Sequence, residues 1–339
     1  MANLIVFLCT TFLLGSGDGR VVGKSYDWDM GQGLLIANKR GVAKQSLPLG
    51  PGDQPLRWVS QHASLTFNQY GRELPNGGLN DAGLVVEIMW LDSSRYPAPD
   101  QRPAVSELQV IEWWLDSFAT TDELTAHADD VRVNSAYGKV HYLVCDAGGS
   151  CAAIEFLDGK LVVTKGAKTL ANHSYADSRA YAEKHRGQLP KGEGSLERFT
   201  RAQALASAPR PATGELPTQA FAILDDVRQG GSDPSQWNIV YEPGKRRVWF
   251  RTKHEPRIKH VDLAAFDPSC RAPVEVLDID EPADGDVRVR FKPYDDAVNE
   301  KLVKKSVAPI AAKLPAGVVD KLVKYPSMLK CTLPATAAR

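Results

Sequence analysis

Apolar and polar positions along the chain follow two periods, and the order in which they follow each other predicts the architecture. An apolar run, "TTFLL", a turn cluster, "GSGDG", and a second apolar run, "RVVGKSYDW", form a hairpin signature close to the N-terminus. "GLLIANKRGVAKQSL" reads as another strand pair around a glycine-containing turn. The run closing "NGGLNDAGLVVEIMWL" (76–91) reads as a buried strand of a large sheet. Helical spacing then takes over. Leu108, Ile111, Leu115 and Phe118 mark one face of a helix, and Thr120 with Glu123 fits a capping box for a second, short one. Strands resume at "KVHYLVCD", "SCAAIEFL" and "KLVVTKG". Helices are predicted over 175–186, 195–207 and 217–229, the last closed by Gly230 and Gly231. "WNIVYEP" and "RRVWFRTK" make a late hairpin around "EPGK".

Strands in antiparallel meanders and helices in blocks predict an α+β layered domain, not a doubly wound parallel sheet. After Pro268 the pattern turns irregular and charged, with one helix expected over 297–313. The expected organisation is a leader or propeptide remnant at 1–8 that is removed, a main domain at 9–268 and a C-terminal appendage at 269–339.

Charge excludes one function class. The 339 residues carry 41 Lys+Arg and 41 Asp+Glu, so there is no basic excess to hold a nucleic acid. The most basic stretch, "GKRRVWFRTKHEPRIKH" (244–260), alternates with apolar residues and fits a strand with one wet face. No run reaches the roughly 18–20 apolar residues that cross a bilayer, so no membrane span is expected. Met1–Gly15 is apolar but lacks Lys, Arg and a small-x-small cleavage site, which makes it a poor signal peptide as written and suits the remnant of a longer leader. With such a leader the protein is periplasmic or secreted; without one it is cytoplasmic.

Five cysteines stand at 9, 145, 151, 270 and 331, none in C-x-x-C spacing. Cys145 and Cys151 flank a Gly-Gly turn and can meet across it. Cys270 and Cys331 sit near the ends of the C-terminal segment and can tether it. Two bridges would leave Cys9 odd; four free buried thiols are the equal alternative.

By default Cys9, in an apolar run, is core filler. A lipid anchor would need small residues before it, where Phe7 and Leu8 stand. A nucleophile reading also suits the position. If the Leu8–Cys9 bond is cleaved, thiol and free α-amine share one residue. An α-amine has a pKa of about 8, roughly two units below a lysine, and can act as base for its own side chain. Such a site needs an anion to orient the amine, a cation to favour the thiolate and amide donors for the oxyanion. "GKSYDWD" offers Lys24 and Asp27, which a hairpin folding at "GSGDG" brings alongside Cys9. Strict alternation points 24 and 27 to opposite faces, so a bend or bulge at Gly23 or Ser25 is expected.

From Cys9 to about Asp262 the chain resembles the choloylglycine hydrolase and penicillin V acylase family. These are linear-amide C–N hydrolases among the N-terminal-nucleophile hydrolases. "CTTF" and "GKSYDWD" stand where that family has its opening cysteine and its Gly-Arg/Lys-Asn element. "GLNDAGLVVEIMWLDSSRYP", "TLANHSYADS", "SLERFTRA" and "QWNIVYEPGKRRVWFRT" follow in the family's order. The resemblance implies a four-layer αββα sandwich, the N-terminal-nucleophile hydrolase fold. It implies Cys9 as nucleophile, Asp27 as the anion that orients its amine, Lys24 and Arg198 as cations, and Asn172 with backbone N–H groups as the oxyanion site.

There are departures. Lys24 replaces the usual first arginine, keeping the charge but losing the planar fork. The Cys-to-Asp interval looks one residue shorter than in many relatives. Met89 and Trp90 stand where bile-salt hydrolases carry a second asparagine, which favours the acylase-like branch with Trp28 and Trp90 at the acyl pocket.

The expected reaction is hydrolysis of a small-molecule N-acyl amide, not a peptide bond, through an acyl-enzyme, with penicillin V or an N-acyl homoserine lactone as substrate. The alternatives are conjugated bile salt hydrolysis, acyl transfer to an amine, and a non-catalytic ligand-binding relative. No metal or organic cofactor is expected, since the seven histidines lie scattered without metal-ligand spacing. Tetramers are common in the family it resembles, so a homotetramer fits.

Overall fold

The computed structural model describes residues 9–333 apart from 18, 48, 49, 51, 136, 137, 209–214, 231–233 and 315. The expected leader, 1–8, lies outside the described residues. Strands β1 (Thr10–Ser16) and β2 (Gly19–Asp27) form the predicted N-terminal hairpin, with Thr10 opposite Ser25 and Ser16 opposite Gly19. They lie in a seven-stranded sheet, in the order Thr169–Leu170, β1, β2, Ser235–Glu242, Arg247–Thr252, Lys259–Asp262 and Gly285–Asp286. A second, nine-stranded sheet is antiparallel throughout. It runs Lys160–Lys165, Cys151–Leu157, Val140–Cys145, Val85–Trp90, Pro75–Asn80, Ser64–Asn68, β3 (Leu34–Asn38), Glu275–Asp278 and Lys292–Pro293.

Alternation along these strands builds the layers. Leu13, Val22 and Tyr26 of the first sheet share one core with Leu35, Phe67, Leu79, Val85 and Met89 of the second. The alternate residues Phe12, Leu14 and Val21 point the other way, onto Phe221 and Leu224. Helices α3 (Tyr175–Lys184), α4 (Ser195–Ser207) and α5 (Leu216–Asp226) cover that outer face. On the far side α1 (Gln109–Ser117) and α2 (Thr121–His127) pack Trp114 and Leu124 on the second sheet. Helix, sheet, sheet, helix is the expected αββα order. The Thr120–Glu123 capping box at the start of α2 is formed as its spacing predicts. Among the described residues no helix is long and apolar enough to cross a membrane.

One strand pairing departs from the pattern. β3 and β4 (Val42–Gln45) do not form a hairpin. β3 pairs with Ser64–Asn68 and Glu275–Asp278, whereas β4 pairs with Arg57–Val59 and Lys330–Cys331 in a separate small sheet. The turn between them is drawn elsewhere, because Arg40 bonds Pro268 and Cys270 through its backbone. β4 is anchored by its own charge: buried Lys44 donates to Glu112 Oε1 (2.7 Å), pairs with Asp116 Oδ2 (2.9 Å) and contacts Glu73. Burial works against this ammonium, but Asp116, Glu112 and Glu73 together hold its pKa well above the ordinary lysine value.

Both cysteine pairs are bridged. Cys145 and Cys151 stand directly opposite each other across the strand pair and form one disulfide. Cys270 and Cys331 form the other, leaving Cys9 as the free thiol. The chain after Pro268 adds Glu275–Asp278 to the second sheet. It continues through α6 (Asp296–Val307), a 3-10 turn (Ala308–Lys313) and α7 (Val318–Lys324), so the single helix expected over 297–313 ends at 307.

Candidate active site

Cys9 lies immediately before β1, buried, in the core between the two sheets. The hairpin register then brings the end of β2 beside it. The Asp27 backbone N–H lies beside the Cys9 sulfur and favours its ionised form. Burial pushes the thiol above its ordinary pKa; Lys24 pulls it down and the Asp27 carboxylate raises it again.

Lys24 and Asp27 lie on opposite faces of β2, as strict alternation requires. Lys24 points between the sheets, where Nζ donates to the Ile88 carbonyl and stands 3.5 Å from Glu87 Oε2. Asp27 is held from the other side, its Oδ1 accepting from Ser25. The bulge expected at Gly23 or Ser25 is instead in the neighbouring strand: Ser235 faces Asp27 and Trp237 faces Tyr26, so Gln236 is the extra residue. β2 itself needs no bend, because Cys9 sits at the strand end, where backbone from one face and side chains from both converge.

Arg198 of α4 closes the far side. This fully buried guanidinium donates to the Cys9 carbonyl (2.8 Å), to Thr10 Oγ1 and to Asn172 Oδ1 (2.8 Å), and Nη1 lies 3.9 Å from Asp27 Oδ2. Asn172 in turn donates to the Trp90 carbonyl (3.0 Å), and its backbone N–H binds Ser195 (2.7 Å). With its oxygen held by Arg198 and one N–H by the Trp90 carbonyl, the Asn172 amide has one further N–H to offer. Asp27 Oδ2 has no hydrogen-bond partner among the described residues, although Asp27 is fully buried. Burial raises this carboxyl to about 6, against the pull of Arg198, Ser235 and Ser25. An unmatched buried carboxylate oxygen is costly and is a ready acceptor for a cationic or N–H group.

The thiol opens on a cavity of about 150 Å³ that is also lined by Trp28, Met89 and Trp90. The two indoles face each other at 6.4 Å between centroids. Met89 is buried, its sulfur accepting from Thr11 (3.1 Å). All eight residues singled out from the sequence therefore converge on one place.

Several supporting groups were not foreseen. Glu87 receives a hydrogen bond from Tyr241 and holds Lys24, and burial pushes it up to about 7. His141 Nε2 donates to the Ala171 carbonyl (2.7 Å), next to Asn172, and Nδ1 lies 3.1 Å from Glu155, which accepts from the Tyr175 N–H at the start of α3. The signal was present: Glu87 and His141 are lone polar residues inside the otherwise apolar runs "LVVEIMW" and "VHYLVC".

These burials set a pH dependence of stability. Glu87 and Glu107 are pushed up to about 7 and Asp116 to about 6, chiefly by burial. Unfolded carboxyls titrate near 4, so between about pH 4 and 7 these three groups hold more protons in the folded chain and their contribution to stability falls as pH rises. His260, lowered by burial, opposes part of this below about pH 6.5. The thermal midpoint should be higher at pH 5.5 than at pH 8; a midpoint equal or higher at pH 8 contradicts the assignment.

No protein-family model matches the chain. Over 78% of this chain and 83% of the relative, it is 26% identical to a penicillin V acylase of Pectobacterium atrosepticum. Among solved structures, a penicillin V acylase from Agrobacterium tumefaciens superposes with a TM-score of 0.75 at 23% identity, over 85% of this chain and 98% of that one. A variant of a conjugated bile acid hydrolase from Clostridium perfringens superposes at 0.66 and 15% identity, over 85% and 97%. In sequence the chain is similar to a penicillin V acylase, and in fold to penicillin V acylase and conjugated bile acid hydrolase. The shared fold places the cysteine at the mouth of the first hairpin, with arginine, aspartate and asparagine delivered from α4, β2 and the turn before α3.

Proposed function

We propose that this amidohydrolase uses Cys9 as the N-terminal residue of its mature chain, cleaving the linear C–N bond of an N-acyl compound through an acyl-thioester. The observation behind this is Asp27 Oδ2, a fully buried carboxylate oxygen with no hydrogen-bond partner among the described residues, on the residue whose backbone N–H lies beside the Cys9 sulfur. A free α-ammonium or α-amine on Cys9 is the group that would satisfy it.

The Cys9 sulfur attacks the substrate carbonyl carbon while the α-amine takes the thiol proton. Asp27 steers that amine. The oxyanion is held by the Asn172 N–H group and backbone amides, with Asn172 locked in this orientation by Arg198. The amine returns its proton to the leaving nitrogen as the C–N bond breaks. A water then attacks the thioester, giving its proton to the amine, and the acid departs with the thiol restored. Lys24 and Arg198 offset the cost of thiolate and oxyanion charge in a buried site.

The aromatic and aliphatic lining of the cavity suits an apolar acyl group. The substrate class is therefore that of penicillin V or an N-acyl homoserine lactone. Intact mass and N-terminal sequencing of the purified protein, with acid release from phenoxyacetyl, N-acyl homoserine lactone and bile-acid conjugates, test this. The expected result is a chain beginning at Cys9 that hydrolyses the first two. An active protein still carrying residues 1–8, or a processed one that releases no acid, overturns it.

A further inference from the structure

The cavity at Cys9 has a wall that the two sheets do not supply. Val307, at the end of α6, Ile310 in the 3-10 turn, Leu314, and Val318 and Leu322 of α7 all line it together with the thiol. From Ile310 these residues recur every fourth position, a stripe of apolar side chains that is only half-buried while Pro309, Ala311, Ala312 and Lys313 face outward. A half-buried aliphatic stripe turned into a cavity gains most when an apolar ligand covers it.

This wall is fastened at both ends. At one end Asn299 of α6 accepts from the Arg72 N–H (2.7 Å), and Ser306 accepts from Gln32 (3.1 Å). At the other, Tyr325 donates to the Gln45 carbonyl (2.7 Å), Lys330–Cys331 pairs with β4, and Cys331 is bonded to Cys270. On the cavity's other side Asn76 accepts from the Gln69 N–H and Ser106 from the Gln109 N–H, while the Gln109 side-chain oxygen accepts from the Leu47 N–H and its Nε2 has no partner among the described residues.

We propose that the disulfide-tied C-terminal segment is the specificity-determining wall of the acyl site, with Ile310 and Leu314 setting the length of linear aliphatic acyl chain accepted. This rests on the reading of Cys9 as the nucleophile. An aliphatic wall rewards each methylene it covers by up to about fourfold, until the pocket is filled.

The test is kcat/KM for a series of N-acyl homoserine lactones with four to twelve acyl carbons, measured on the full chain and on Ile310→Trp, Leu314→Trp and Cys331→Ser. Binding of dodecanoate, followed by tryptophan fluorescence, is read in parallel. The unsubstituted protein should favour longer chains. Each Trp variant should lower the twelve-to-four-carbon ratio at least about tenfold and weaken dodecanoate binding, with an unchanged thermal midpoint. Loss of the tether in Cys331→Ser should lower the same ratio. Hydrolysis with one chain-length profile in all four proteins overturns the wall and leaves the nucleophile standing. Dodecanoate binding that responds to the Trp variants, without hydrolysis of any amide, supports the wall and overturns the nucleophile.

Discussion

Cys9→Ala is expected to abolish acid release, a loss of roughly 10⁴-fold or more, because the proposed mechanism puts nucleophile and base on that one residue. Cys9→Ser should keep the amine but lose most of the rate, since an alcohol is far harder to ionise in a site this deeply buried. The fold should tolerate both changes, as the thiol occupies little volume and is not bridged. A thermal midpoint close to that of the unsubstituted protein separates lost chemistry from lost structure. Asp27→Asn is the companion test. It keeps the shape and the backbone N–H beside the sulfur but removes the charge that steers the amine, so kcat should fall by roughly 10²–10⁴. Acid release by Cys9→Ala above about a tenth of the original rate would end this account.

Lys44→Met carries the largest expected effect on stability. The ammonium is the hub of three buried carboxyls, with Glu112 and Asp116 both on α1 and Glu73 in the loop after Ser64–Asn68. Methionine matches its length but leaves Glu112 and Asp116 without their cation; removing one partner of such a network costs about 3–5 kcal/mol. The sign of the pH dependence follows from the folded state. Burial raises Glu112 well above the ordinary value and Asp116 to about 6, so protonation becomes available below that pH. The deficit should be greatest at pH 8 and shrink toward pH 5. Chemical denaturation at both values measures it, and a loss under about 1 kcal/mol at pH 8 would mean that α1 and β4 are held by packing alone.

Periodicity and turn chemistry are local properties, and what depends on them was legible in advance. The β1–β2 hairpin, the α2 capping box, the α4 span and the alternation of Arg247–Thr252 all follow from neighbours a few residues apart. So did the candidate site, because its motifs lie in order along one chain: Cys9, then Lys24 and Asp27, then Asn172 and Arg198. The separation of β3 from β4 was not legible, since it is imposed by pairings with residues 275–278 and 330–331, more than two hundred positions away. The bulge at Gln236 likewise belongs to a distant strand laid against β2.

Local order along the chain was enough for the layered α+β pattern and for naming the candidate site residues, since side-chain period and residue type are written locally. Only the packing of distant segments settles which oxygen of Asp27 has no hydrogen-bond partner among the described residues, which carboxylate holds Lys24, and that the C-terminal segment walls the cavity beside Cys9. Those outcomes depend on burial and on distances between remote segments, and both arise only when the layers close on one another.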